Sequence, residues 1–213
     1  MDYDSLIFDL DGTLWDCSTS SLAAAHQVFS TLGVDKQLSI DFIRQITGAP
    51  ESEFIAKLIE LVPNNLREKA AHNYSMEEVR MVRQAAERAF LPGVKEGIIK
   101  LHSLYRLFVV SNCSLPYLDA FRLGSSIGAY FEDFECYGRT RLPKSDNLIN
   151  LIKRNKLKNP CYIGDTERDE IAAKSANIPF FFVNYGFGTV ADFADSFNNF
   201  TDLTNYFLSP PTP

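Results

Sequence analysis

Two aspartates near the start of the chain, Asp9 and Asp11, have the type and spacing needed to bind a divalent metal ion. They follow the apolar run 6–8, which is short enough for a buried strand, and they end in the turn signal Asp11-Gly12. Alternation along a strand places both carboxylates on one face, at the strand end where open α/β sheets bind ligands. Adjacent carboxylates repel each other unless a cation or a shared proton relieves them, and Mg²⁺ suits oxygen ligands. The alternative is an ordinary solvated turn.

Polar residues also stand at the ends of further apolar runs. The run 107–110 leads into Ser111 and Asn112, and Asp165 follows a later run. Lys144 comes just before the helix predicted after the third strand. Because the ends of parallel strands lie along one edge of a sheet, we expect these residues to converge in space. This convergence argues against the solvated-turn alternative.

The elements that must position these residues alternate between strand and helix patterns. Five runs predict strands, at residues 6–8, 107–110, 131–137, 161–163 and 180–183, the last being the final strand. Near-continuous apolar strands separated by amphipathic helices predict an α/β fold, a Rossmann-like parallel sheet flanked by helices.

Residues 18–89 carry no strand pattern. Helix-capping residues and apolar residues at helical spacing predict four helices there, joined by short loops. We therefore expect a discontinuous α/β core of residues 1–15 and 90–213, and an inserted all-α helical-bundle cap domain of residues 16–89.

Composition limits the classes of partner. The 213-residue chain has a formal net charge of −6, which argues against a nucleic-acid partner. No apolar run approaches a membrane span, and residues 1–4 lack the basic region of a signal peptide. The four cysteines are scattered without a C-x-x-C pair, so a reduced, cytoplasmic setting is expected.

Four segments together resemble the motifs of the haloacid dehalogenase (HAD) superfamily. The resemblance is to its phosphatase branch with a helical cap, which includes phosphoglycolate phosphatases and β-phosphoglucomutases. The first motif is similar to Phe8–Leu14, the second to Val110–Asn112, the third to Lys144 and the fourth to Gly164–Asp169.

The resemblance implies a Mg²⁺-dependent phosphatase that hydrolyses a small phosphorylated metabolite through an aspartyl-phosphate intermediate. Asp9 is the implied nucleophile, and Asp11 the implied acid that protonates the leaving alcohol and then activates water. The implied metal ligands are Asp9, Asp165 and the backbone carbonyl of Asp11, and Asp169 is implied to reach the same ion directly or through water. The implied phosphate or substrate contacts are Ser111, Asn112, Lys144, Thr13 and, from the cap, Gly48.

Three of these residues have plainer interpretations. Ser111 could cap the helix that begins near Ser114, and Asp169 could be a first-turn acid that favours the helix dipole. Lys144 could be a solvated residue at a helix start, and two arginines, Arg139 and Arg141, lie close enough in sequence to replace it.

Other functions also stay open. A sugar-phosphate mutase of the β-phosphoglucomutase type keeps both aspartates of the first motif, whereas dehalogenases lack the second, so Asp11 argues against dehalogenation. A non-catalytic phospho-accepting member or a receiver-like signalling module would use a similar set of groups. The sequence leaves monomer and homodimer equally possible.

Substrate specificity is expected to come from the cap. The loop 47–50 between two cap helices is a candidate to face the core, as Gly186 and Gly188 are for a loop near the site. Candidate polar contacts in the cap are Arg44, His72 and Tyr74.

Overall fold

The computed structural model describes residues 3–209 and contains one six-stranded sheet. Residues 1, 2 and 210–213, which belong to the predicted core domain, lie outside the described residues. The strands are β1 (Ser5–Phe8), β2 (Arg106–Ser111), β3 (Asp133–Cys136), β4 (Pro160–Gly164), β5 (Phe180–Val183) and β6 (Asp195–Phe197). All neighbours pair in parallel, in the order β3-β2-β1-β4-β5-β6. The prediction of a parallel α/β fold is therefore confirmed.

Helices occupy the remaining regular structure. Between β1 and β2 lie α1 (Ser18–Thr31), α2 (Ile40–Ile46), α3 (Glu51–Ile59), α4 (Arg67–Ala85) and α5 (Val94–His102). After β2 come α6 (Leu115–Gly124), α7 (Tyr137–Thr140), α8 (Lys144–Asn155), α9 (Glu167–Ser175) and α10 (Phe200–Leu208). Short 3-10 helices lie at Asn64–Leu66, Ala86–Arg88 and Gly128–Tyr130. No helix within the described part of the chain is long and apolar enough to cross a membrane.

The centre of the sheet is buried on both faces because most side chains of β1, β2 and β4 are apolar. Along β1, Leu6 and Phe8 pack into one apolar cluster, whereas Ile7 between them packs into the cluster on the opposite face. This is the alternation expected of a strand. Burying one side chain of this size stabilises the fold by about 1.5–3 kcal/mol. Because a central strand is covered on both faces, the apolar side chains of β1 favour a position in the middle of the sheet.

The helices α1 to α4 have an apolar cluster of their own. Val28 and Phe29 of α1 pack with Ile43 of α2, Leu58 of α3 and Tyr74 of α4. Such a separate cluster is what a helical cap requires, and it supports the predicted division at residues 16–89, which stays a prediction.

The expectation that residues 180–183 form the final strand is wrong. The structure adds β6 at the edge of the sheet, and then α10, which buries Phe200, Leu203 and Phe207. β6 has three residues with one buried side chain, too few for a periodic pattern, so only pairing with β5 defines it.

Candidate active site

Asp9 and Lys144 form a buried ion pair where β1 ends. The Nζ atom of Lys144, the first residue of α8, lies 2.8 Å from Oδ1 of Asp9 and 2.6 Å from Oδ1 of Asp169. The lysine is only 5% exposed, so the interpretation as a solvated helix-start residue is wrong. Burial disfavours its charged form, but the carboxylates of Asp169 and Asp9 outweigh burial and raise the pKa of Lys144.

The two arginines that could replace this lysine lie elsewhere. Arg139 donates a hydrogen bond to Glu135 of β3, and Arg141 pairs with Glu51 of the first turn of α3. Lys144 is therefore the cation that the structure brings to Asp9.

Three buried carboxylates could hold a metal ion. One oxygen from each of Asp9, Asp165 and Asp169 lies within 4.8 Å of the other two. Burial, followed by the charge of Asp169, raises the pKa of Asp165, and burial raises that of Asp9 to about 6 despite Lys144. Three carboxylates against one ammonium leave an excess of negative charge on hard oxygen donors. This donor set fits a divalent cation such as Mg²⁺.

Asp169 is already surrounded by hydrogen-bond donors. Its Oδ1 accepts from Lys144 and Tyr162, and its Oδ2 accepts from the backbone N–H groups of Asp165 and Thr166 and from the Thr166 hydroxyl. The contact with Thr166 N–H belongs to a capping box, so Asp169 does act as an acid of the first turn of α9. The same carboxylate also orients Lys144, which suits a positioning role better than direct metal coordination.

Asp165 is held in place by the loop after β5. Phe187 N–H donates to its Oδ2 at 2.7 Å, and the Thr13 hydroxyl donates to its Oδ1 at 3.3 Å. Gly186 packs so closely that an added Cβ would lie 2.3 Å from Asp165 Cβ. The predicted loop of Gly186 and Gly188 therefore does lie beside the site. Thr13, expected to contact substrate, instead contacts Asp165.

We predict that Gly186→Ala weakens divalent-metal binding by about tenfold or more, because the new methyl group displaces Asp165. Titration calorimetry with Mg²⁺ on the folded protein measures this effect. The control is Gly124→Ala, whose added Cβ would meet Ala86 at an ordinary 3.6 Å. Equal metal affinity in the two variants would contradict the role given to Gly186.

Asp11 lies apart from the carboxylate cluster and carries a different set of contacts. The Tyr117 hydroxyl donates to its Oδ1 at 2.5 Å and Trp15 Nε1 donates to the same atom at 3.1 Å. Burial raises the pKa of Asp11 to about 8, although the Tyr117 hydrogen bond lowers it. At neutral pH this carboxyl group keeps its proton, as a general acid requires.

Ser111 ends β2 beside this cluster and is 3% exposed. Its hydroxyl oxygen accepts a hydrogen bond from Cys113 N–H at 3.3 Å. The cap of α6 is Ser114, whose side chain accepts from Tyr117 N–H, so the interpretation of Ser111 as that cap is wrong. A serine hydroxyl can also donate its proton, which suits an acceptor such as a phosphoryl oxygen.

Asn112 connects the strand edge to the loop between α2 and α3. Its side-chain Nδ2 donates to the backbone carbonyl oxygen of Gly48 at 2.8 Å. Its backbone carbonyl oxygen accepts from the Glu51 N–H group at 3.0 Å. Gly48 has φ of +84°, a left-handed conformation that glycine adopts without strain. The loop 47–50 therefore faces the core, as its position between two cap helices predicted.

A cavity lies between the helices and the strand edge. Asp9, Asp11 and Ser111 line it from below, and Glu78 of α4 lines it from above. The predicted cap contacts lie elsewhere: Arg44 pairs with Asp16, His72 is exposed, and Tyr74 is buried and donates to Glu78.

Two residues of this site, Tyr117 and Glu78, cannot be identified as site residues from the sequence. Tyr117 reaches Asp11 from 106 positions away, and Glu78 is one of many charges on a polar helix. Only the packing of α4 and α6 over the strand ends places them in the cavity.

Comparisons with known proteins identify the family. Residues 6–183 match the family described as haloacid dehalogenase-like hydrolase. A plasmid phosphoglycolate phosphatase from Cupriavidus necator is 26% identical over an alignment 202 residues long, and the match covers 86% of this chain and 81% of that protein.

Solved structures share the fold. A hydrolase of the haloacid dehalogenase-like family from Streptococcus pneumoniae superposes with a TM-score of 0.81 at 22% identity, covering 96% of this chain and 98% of that one. A mutant of CbbY from Rhodobacter sphaeroides, in complex with xylulose-(1,5)bisphosphate, gives 0.77 at 19% identity, covering 95% and 96%. The chain belongs to the haloacid dehalogenase-like hydrolase family, and it is an enzyme of that class.

Proposed function

We propose that this enzyme is a Mg²⁺-dependent phosphatase that hydrolyses a small phosphate monoester through an aspartyl-phosphate on Asp9. The observation that carries the proposal is the buried contact of Lys144 with Asp9, next to carboxylates able to hold a metal. A proton-bearing carboxyl group, Asp11, lies two residues away in the same cavity. The relative named as a phosphoglycolate phosphatase supports the same reaction class.

In the first step, a carboxylate oxygen of Asp9 attacks phosphorus. The bond between phosphorus and the alcohol oxygen breaks, and Asp11 gives its proton to that oxygen, so the alcohol leaves neutral. Lys144 and the Ser111 hydroxyl hold the phosphoryl oxygens in line for the attack.

In the second step, water attacks the phosphorus of the aspartyl-phosphate. Asp11, now ionised, takes the proton from this water, and the phosphorus–Asp9 bond breaks to release inorganic phosphate. Asp9 and Asp11 return to their starting states, so the cycle needs no other reactant than water.

The metal would be held by Asp9 and Asp165, with the backbone carbonyl of Asp11 as the third protein ligand implied by the family motif. Asp169 would act by orienting Lys144 and the turn at Asp165. When bound, Mg²⁺ supplies positive charge that offsets the repulsion between the Asp9 carboxylate and the phosphate dianion.

We predict that EDTA abolishes phosphate release and that added Mg²⁺ restores it, because three buried carboxylates otherwise repel the phosphate dianion. A coloured assay of inorganic phosphate with a panel of phosphorylated metabolites measures this. Thermal unfolding with and without EDTA is the control for loss of the fold. Undiminished activity in EDTA would contradict the metal assignment and leave the nucleophile assignment standing.

Two alternatives use the same groups with different outcomes. A mutase would return the phosphoryl group to a second hydroxyl of a sugar phosphate, and a non-catalytic acceptor would keep it on Asp9. Release of free phosphate in stoichiometric excess over enzyme supports the phosphatase, a rearranged sugar phosphate supports the mutase, and a lasting phosphoprotein supports the acceptor.

A further inference from the structure

The cavity above the reacting groups is lined by acidic side chains and, over residues 3–209, by no basic ones. Four carboxylic acids line it: Asp9, Asp11, Glu51 and Glu78. Among the residues that the structure describes, no lysine, arginine or histidine lines it, and the ammonium of Lys144 is paired with Asp9 and Asp169. Asp9 and Asp11 serve the phosphoryl group, so Glu51 and Glu78 are left to face the rest of the substrate.

Glu78 is fixed in position by two hydroxyl groups. Ser21 of α1 donates to its Oε1 at 2.7 Å, and Tyr74, one turn earlier on α4, donates to the same atom at 2.6 Å. Its other oxygen, Oε2, accepts no hydrogen bond from residues 3–209. A held carboxylate with one open acceptor atom is suited to bind a hydroxyl or ammonium donor.

A second acceptor without a partner lies in the same cavity lining. Asn112 is 5% exposed, and its amide nitrogen is committed to the carbonyl of Gly48. Its Oδ1 atom is buried and has no hydrogen-bond partner within the described structure. A buried acceptor without a donor is costly, which indicates that a ligand supplies the donor.

The remaining acid lies towards the surface. Glu51 pairs at 3.0 Å with Arg141, whose side chain is 61% exposed. This arginine therefore offsets Glu51 from outside the cavity. Glu78 has no such ion pair among the described residues, and burial raises the pKa of its carboxyl group although the Tyr74 and Ser21 hydroxyls lower it. A substrate carboxylate placed here would be repelled by Glu78 or would require Glu78 to take up a proton, and either effect weakens binding.

We propose that the natural substrate is a phosphate monoester of a hydroxylated or amine-bearing alcohol without a negative charge, and that Glu78 excludes phosphorylated carboxylic acids. This inference rests on the proposed phosphatase activity and adds its substrate class. It separates this chain from the activity named for its phosphoglycolate phosphatase relative, since phosphoglycolate carries a carboxylate.

Three two-carbon phosphates of matched size test the proposal. They are 2-hydroxyethyl phosphate, which has a neutral tail, 2-aminoethyl phosphate, which has a cationic tail, and phosphoglycolate, which has an anionic tail. With saturating Mg²⁺, we expect kcat/KM for both donor-bearing esters to exceed that for phosphoglycolate by about tenfold or more, which is about 1.4 kcal/mol.

The variant Glu78→Gln removes the charge and keeps the side-chain volume. It is expected to raise kcat/KM for phosphoglycolate and lower it for 2-aminoethyl phosphate, so that their ratio changes by about tenfold. The matched control is Glu77→Gln, which removes the same charge from the preceding residue of α4. Glu77 pairs with Arg80 and does not line the cavity, so the ratio should be unchanged. Glu51→Gln is a second cavity variant if Glu78→Gln does not fold.

The outcomes distinguish failure of the substrate-class inference from failure of the proposed phosphatase activity. If p-nitrophenyl phosphate is hydrolysed but phosphoglycolate is the best of the three esters, the substrate class is wrong and the phosphatase assignment stands. Equal effects of Glu78→Gln on all three esters also overturn the inference. If none of the four compounds releases phosphate above the level of Asp9→Asn, the phosphatase proposal fails and this inference fails with it.

Discussion

Asp9→Asn is expected to reduce phosphate release by at least about a thousandfold, because an amide is a poor nucleophile towards phosphorus. The fold should persist, since asparagine has nearly the same volume and Lys144 keeps its contact with Asp169. Steady-state release of phosphate, together with thermal unfolding of the same preparation, measures both effects.

A matched control for Asp9→Asn is Asp41→Asn. Asp41 lies in the exposed first turn of α2, so the same chemical change there should leave turnover as it was. Turnover by Asp9→Asn close to the unaltered level would refute Asp9 as the nucleophile. A variant that is inactive but unfolded would instead show that the Lys144–Asp9 pair is needed for stability.

Asp11→Asn is expected to slow hydrolysis of alkyl phosphates by about 10²–10⁴-fold, because the leaving alcohol loses its proton donor. p-Nitrophenyl phosphate has a leaving group that needs no proton, so its first step should be largely retained. Its second step needs Asp11 to activate water and should be slow. Rapid mixing should therefore show a burst of nitrophenolate close to one equivalent per enzyme, followed by slow turnover. Normal hydrolysis of alkyl phosphates by Asp11→Asn would refute the acid role.

The pH dependence gives a further test of Asp11. Its pKa of about 8 means that the carboxyl group is protonated below that pH and ionised above it. Turnover of an alkyl phosphate should therefore fall as the pH rises past about 8. Tyr117→Phe removes the hydrogen bond that lowers this pKa, so it should move the fall to higher pH. An unchanged profile in Tyr117→Phe would contradict this coupling.

Much of the fold can be predicted from local patterns. The strand β1 and the turn at Asp11 are encoded within ten residues, and residues typical of helix caps, Ser39, Ser114 and Thr166, stand directly before helices. The order of the strands along the sheet is not local information. The existence of β6 cannot be predicted from the sequence either, because its three residues are too few to form a recognisable pattern.

What the sequence alone determined is the set of strand-end residues, Asp9, Asp11, Ser111 and Asp165, since parallel strands bring their ends to one edge. Only the tertiary structure decided their partners. Lys144 could have been solvated, but the start of α8 buries it between two carboxylates.

Glu78 and Tyr117 show the same limit of sequence reasoning at the cavity. A carboxylate on a polar helix and a tyrosine on an amphipathic one are common residues, and neither spacing nor composition distinguishes them. Their roles arise because α4 and α6 pack over the strand ends and bring groups distant in sequence within hydrogen-bond distance. Contacts of that kind depend on packing between helices, which no local pattern specifies.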